Sequence, residues 1–212
     1  MAVYDLEEQD QLEDLKLWWA RYGKYVAGAL MLAAVVMIGN QGWRWYQQRQ
    51  AEQASVLYQA VSTASRDNDA AKAKEPATQI EDRYAGTAYA PRAALLYAKL
   101  LYDSGEHAGA KLQLQWVIDH ASEDAIKAIG RFRLAELLLD DKQYDLALAT
   151  LDNKTDDAFT AIFADLRGDI LSAAGKPVEA KAAYTIAMAK FDPKSPYRQF
   201  VQVKFEALGG SQ

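Results

Sequence analysis

The chain has 212 residues, half of them hydrophobic, and a formal net charge of −5. It contains no cysteine, which excludes disulfides, a thiol nucleophile and a cysteine-ligated zinc site. Its 24 basic residues are scattered and outnumbered by 29 acidic ones, so no basic arm or patch is available and nucleic acid is not an expected partner.

The first element is a short acidic leader, residues 1–24. Asp5 followed by Glu8 has the spacing of a capping box, which places a helix start at Asp5. Leu12, Leu15, Trp19 and Tyr22 then share one helical face. Six acids (Asp5, Glu7, Glu8, Asp10, Glu13, Asp14) make that helix a poor ligand for anionic lipid, so its apolar face suits a protein partner.

The second element is residues 25–43. From Tyr25 to Gly39 the run YVAGALMLAAVVMIG carries no charge. Nineteen residues at roughly 1.5 Å each give about 28 Å, close to the hydrocarbon thickness of a bilayer. Trp18, Trp19, Tyr22 and Tyr25 stand at one end, Trp43, Trp45 and Tyr46 at the other, as two interfacial aromatic belts. A buried core helix would not need aromatics at both ends. A cleaved signal peptide would have an unusually long leader and lacks a small-residue cleavage site after the apolar run. An uncleaved signal anchor fits better. Lys16, Arg21 and Lys24 before the span, against Arg44 and Arg49 after it, put the N-terminus inside. Within the span, Ala29 and Ala33 form a small-xxx-small pair beside Gly28, a surface where a second membrane helix could approach closely.

Residues 47–212 read as consecutive short helices, an all-α domain of tetratricopeptide-like pairs. Residues 47–65 and 69–84 form a degenerate first pair, with Pro76 expected to restrict the start of its second helix or kink it. Three further units follow at a period near 34 residues. One runs from Pro91 to about Ser122, with its turn at Asp103-Ser104-Gly105-Glu106. The next runs from Ala128 to Asp157, turning at Asp140-Asp141-Lys142-Gln143. The last runs from Ala161 to Pro193, turning at Gly175-Lys176. The turn positions Gly105, Lys142 and Gly175 lie 37 and 33 residues apart. Each small residue in a first helix is followed 12 positions later by a small one in the second: Ala98 to Ala110, Ala135 to Ala147, Gly168 to Ala180. Small residues at these points let paired helices touch. Ser195 as N-cap and Pro196 at the first helical position begin a last helix, to about Leu208, that covers the end of the stack.

Motifs for chemistry are missing. The two histidines, His107 and His120, are isolated, and no H-E-x-x-H or G-x-S-x-G occurs. Gly175-Lys176 is followed by Pro177 where a phosphate loop needs Ser or Thr. No metal, cofactor or catalytic residue is expected. The stacked pairs instead offer a groove lined by their first helices. Its expected surface is Arg92, Leu95, Lys99, Tyr102 and Asp103 in one unit, Phe132, Glu136 and Leu139 in the next, then Asp165, Asp169 and Ser172. At equivalent places Lys99 is followed by Glu136 and Asp169, so the cations needed to grip a C-terminal carboxylate do not converge. A mixed polar and aromatic groove suits an extended segment or a folded partner.

The opening Tyr4-Asp5-Leu6-Glu7-Glu8-Gln9, the later Trp18-Trp19 and Tyr22-Gly23, and the stretch Ala161 to Asp169 (AIFADLRGD) resemble the YfgM-type ancillary subunits of the bacterial Sec translocon. The resemblance implies an inner-membrane anchor, a periplasmic tetratricopeptide-like domain, and association with the SecYEG channel. It also implies a membrane-anchored periplasmic chaperone of the prolyl-isomerase-like type as partner, and help for exported proteins passing from the channel to such chaperones. It carries no catalytic residues. An alternative expectation is a membrane-tethered scaffold whose cytosolic leader holds a stress-response regulator.

Overall fold

The computed structural model describes the backbone of residues 4–152 and 157–209, and side chains within those ranges from Leu15 onward. Among the described residues there is no strand; nine α-helices and one short 3-10 turn follow in chain order. They fall into two compact units, one ending at Arg49 and the other beginning at Gln50.

Helix α1 spans Tyr4–Arg66. It already includes Asp5, which is therefore helical and not the N-cap that its spacing to Glu8 suggested. The leader's acidic side chains and Leu12 lie outside the described side chains. In the first unit the segment from Tyr25 to Trp43 is exposed throughout, apart from a partly covered Val26. Leu30, Met31, Leu32, Val35, Val36, Met37 and Ile38 are each between 62% and 73% exposed. Among the described residues only this helix is long and apolar enough to cross a membrane. A core helix of a soluble protein would bury such side chains, so the core-helix alternative fails.

The second unit takes the end of α1 and then α2 (Ala70–Tyr84), α3 (Tyr89–Asp103), α4 (His107–His120), α5 (Asp124–Asp140), α6 (Tyr144–Leu151), α7 (Thr160–Ala173), α8 (Pro177–Lys190) and α9 (Pro196–Ala207). The expected pairs are α3 with α4, α5 with α6, and α7 with α8. Each first helix begins one to four residues before the place its apolar pattern indicated. The second helix of the middle pair is short, ending at Leu151, and its expected end at Asp157 lies instead in the 3-10 turn Asp157–Phe159.

One turn closes the first helix of every pair. At Gly105, Lys142 and Gly175 the backbone is left-handed, with φ of 83°, 59° and 73°. The amide of that residue donates three residues back: Gly105 to Tyr102 O (2.9 Å), Lys142 to Leu139 O (2.9 Å) and Gly175 to Ser172 O (3.0 Å). The next amide donates five back: Glu106 to Leu101 O (2.7 Å), Gln143 to Leu138 O (2.8 Å) and Lys176 to Leu171 O (2.9 Å). These are Schellman closures, which satisfy the carbonyls a helix end leaves free. The same closure ends α1, where Asn68 has φ 53° and the Asp69 amide donates to Ala64 O at 2.9 Å. The end of α1 and α2 are thus a fourth pair in register with the others, with Val61 and Ala73 at the close-contact positions, both fully buried. Asp69 then caps α2, its side chain accepting from the Lys72 amide at 3.0 Å. Pro76 lies inside α2 and does not mark its start.

The contact residues fall where the repeat requires. Ala98, Ala110, Ala135, Ala147 and Ala180 are at most 2% exposed. At Gly168 a Cβ would run into the Tyr184 ring. This pair of helices carries a buried tyrosine at its contact and can do so only because the facing residue has no side chain. The core continues from Val61 to Ile170, and a second cluster around Tyr184 and Val201 seats α9 on α8. Ser195 precedes α9 in extended conformation, but its side chain makes no capping bond; Pro196 alone supplies the start signal.

Candidate functional site

The first helices of the pairs, α3, α5 and α7, carry the expected groove residues. Three are structural, and of these Leu95 and Leu139 pack against the core. Phe132 also packs there, its ring 6.0 Å from that of Phe163 on α7. The polar members are held by partners. Arg92 donates to both carboxylate oxygens of Glu123, at 2.8 and 2.9 Å. Lys99 pairs with Asp103 one turn on. Tyr102 donates its hydroxyl to Asp140 Oδ2 at 2.6 Å and stacks on His107, 5.1 Å between centroids. Glu136 accepts from Arg133 at 2.9 Å. Asp165 and Asp169 share Lys204 of α9, at 2.9 and 2.7 Å, and Asp169 also accepts from the Tyr184 hydroxyl at 2.8 Å. Ser172 is partly covered near the α7 turn.

Electrostatics follow from this arrangement. Burial pushes the Glu136 carboxyl up, against the pull of Arg133 and with added repulsion from Asp140 and Asp169. Burial likewise raises Asp165 despite its bond to Lys204. Lys204 itself is raised: burial opposes its charge, but the two aspartates outweigh that. The Tyr184 hydroxyl is pushed up by burial and by Asp169, and that of Tyr102 by its bond to Asp140. Arg92, Lys99, Arg133 and Lys204 each already hold a carboxylate. The expected groove residues and their partners are together net acidic, and no cation in this set stands ready for an anionic ligand.

Several of these partners escaped the sequence reading: Glu123, Asp140, Asp141 and Lys204. A signal for them exists. The bonds that join successive pairs run about one repeat apart, 31 residues for Arg92–Glu123, 38 for Tyr102–Asp140, 34 for His107–Asp141 and 35 for Lys204–Asp169. A side-chain donor and a carboxylate spaced by one period would have suggested them. His107 sits 2.9 Å from Asp141, whose carboxyl Lys111 and His107 hold low. His120 stacks on Trp116. Among the described residues no cluster of three or more His, Asp or Glu could hold a metal ion.

In the first unit, Gly28, Ala29 and Ala33 are exposed, and a Cβ at Gly28 would meet nothing within 4 Å. Gly23 differs, lying against the Trp19 ring.

The family described as a tetratricopeptide repeat-like domain matches residues 16–210. A Neisseria gonorrhoeae protein named ancillary SecYEG translocon subunit is 31% identical over 212 residues, spanning 98% of this chain and 100% of that protein. The chain belongs to the YfgM-type family of ancillary SecYEG translocon subunits. The family member of the same name from Escherichia coli is also 31% identical, over 98% of this chain and 99% of its own length. That of Haemophilus influenzae is 30% identical over 86% of this chain and 89% of its own. No solved structure matches the chain.

Proposed function

We propose that this chain is a non-enzymatic, membrane-anchored protein-binding scaffold that accompanies the SecYEG translocon. The observation that carries the reading is the pairing, in a chain aligned end to end with ancillary translocon subunits, of one uncovered apolar helix with a solenoid of helix pairs. In this reading residues 1–24 lie in the cytoplasm, 25–43 span the inner membrane and 47–212 form the periplasmic domain. The anchor contacts the channel. Gly28, Ala29 and Ala33 give its helix a surface another membrane helix can approach closely. The groove of α3, α5 and α7 receives the periplasmic partner, a membrane-anchored chaperone of the prolyl-isomerase-like type, so that exported proteins pass from channel to chaperone. Its acidic balance favours a segment that presents amides, cations or apolar side chains over one that ends in a carboxylate.

Two changes separate these roles. Replacing residues 25–43 with an unrelated span should weaken co-purification with SecYEG while the domain still binds its periplasmic partner. Changing Tyr102 and Glu136 together to Ala should weaken the partner and spare the channel. If the anchor swap leaves channel association intact and the groove change abolishes it, the channel contact is periplasmic and this division is wrong.

A further inference from the structure

The outer face of α9 is apolar. Tyr197, Phe200 and Val203, spaced at i, i+3 and i+6, are 66%, 67% and 64% exposed. The inner face buries Val201 and packs Phe205 and Leu208 in the cluster around Tyr184. Phe191 stacks on Tyr197, with 6.2 Å between ring centroids. Among the described residues no other helix after Gln50 exposes three large apolar side chains. The last helix of a repeat stack ordinarily presents a polar face, because no neighbour covers it. An apolar stripe in that place marks a surface that something covers.

We propose that the cover is α9 of a second copy of this chain, packed antiparallel about a twofold axis through Phe200. In that arrangement Phe200 meets its own counterpart, Tyr197 meets Val203 of the second copy, and Lys194 comes opposite Glu206. Lys194 and Glu206 are both exposed. Lys194 lies in the turn before α9 and Glu206 in its last turn, where it also accepts from Gln202 Nε2 at 2.6 Å, so the two flank the stripe at opposite ends. A twofold contact joins each to its opposite charge, so the stripe is complementary to itself in both hydrophobicity and charge. One helix face covers far less than the roughly 800 Å² per partner of a standard stable interface. The contact therefore depends on both copies being held in one bilayer, where tethering raises their effective concentration. In this respect it rests on the membrane-anchored reading above.

The chain has no cysteine, so introduced cysteines report without background. Phe200→Cys should form disulfide-linked dimers in membranes under copper-phenanthroline oxidation, about tenfold more than Val178→Cys, which is similarly exposed but lies on α8. Adding Lys194→Glu to Phe200→Cys should reduce the dimer, and adding Glu206→Lys to that pair should restore it. Phe200 is exposed, so its replacement leaves the fold intact. Dimer yields equal to those of Val178→Cys overturn the proposal. So does crosslinking of Phe200→Cys to a different protein, protection of this site by lipid, or failure of the charge swap to restore the dimer. Alkaline carbonate extraction of the same membranes distinguishes the two readings. Chain released from the pellet contradicts the anchor, whereas chain retained but not crosslinked contradicts only the second-copy contact.

Discussion

At the scale of single residues the clearest consequence concerns the left-handed turns. Gly105 and Gly175 adopt positive φ without penalty, whereas Lys142 adopts the same conformation with a Cβ. Lys142→Gly should therefore stabilise the fragment 47–212 by about 1 kcal/mol, and Gly175→Ala should destabilise it by about as much. The urea midpoint of each variant measures this. A midpoint for Lys142→Gly at or below that of the parent would mean that the turn is not left-handed in solution. Gly168 matters for a different reason, the close approach of Tyr184. Gly168→Ala forces the ring aside and strains its bond to Asp169, at a cost of about 1–3 kcal/mol. Thermal melting that matches the parent would remove Gly168 from the contact.

At the scale of elements, α9 is fastened to α7 by a single cation between two carboxylates. Lys204→Met leaves the half-buried Asp165 without its partner. The three side chains are between 25% and 36% exposed, so solvent screening limits the loss to about 1–2 kcal/mol at neutral pH. The sign of the pH dependence follows from Asp165. Its carboxyl is raised by burial, so its ionised form costs stability above the raised value and the cost is relieved as pH falls through it. The gap in melting temperature between parent and Lys204→Met should therefore narrow between pH 7.5 and pH 4.5. A gap that stays constant would show that Lys204 acts through packing and not through charge.

The same scale explains what could be read from sequence. The pairs α3–α4, α5–α6 and α7–α8 were legible because small residues and a turn recur together, and both are local demands of helix contact. The first pair was harder to see. Val61 stands where the others have Ala or Gly, and Asn68 takes the left-handed turn in place of glycine. Asp5 and Ser195 show the limit of capping signals: the residue type and spacing suit a cap, yet Asp5 is already helical and the Ser195 side chain makes no bond. For the expected groove residues, the helices that carry them were legible but the partners of their side chains were not. Whether Asp165 and Asp169 face solvent or a lysine depends on where α9 docks, some 35 residues further on.

At the scale of the whole molecule, the sequence divides into a charge-free apolar run and an alanine-rich set of helix pairs, and both divisions have physical causes. The apolar run has the length and composition of a membrane span, and its side chains are uncovered. The helix pairs need one another, because each buries its contact face only against the next. Protease added to intact spheroplasts tests whether a cytoplasmic leader and anchor carry a periplasmic solenoid. The expected result is digestion of residues 47–212 and survival of a fragment holding the leader and span. A large domain that stays protected until the membrane is lysed would contradict it.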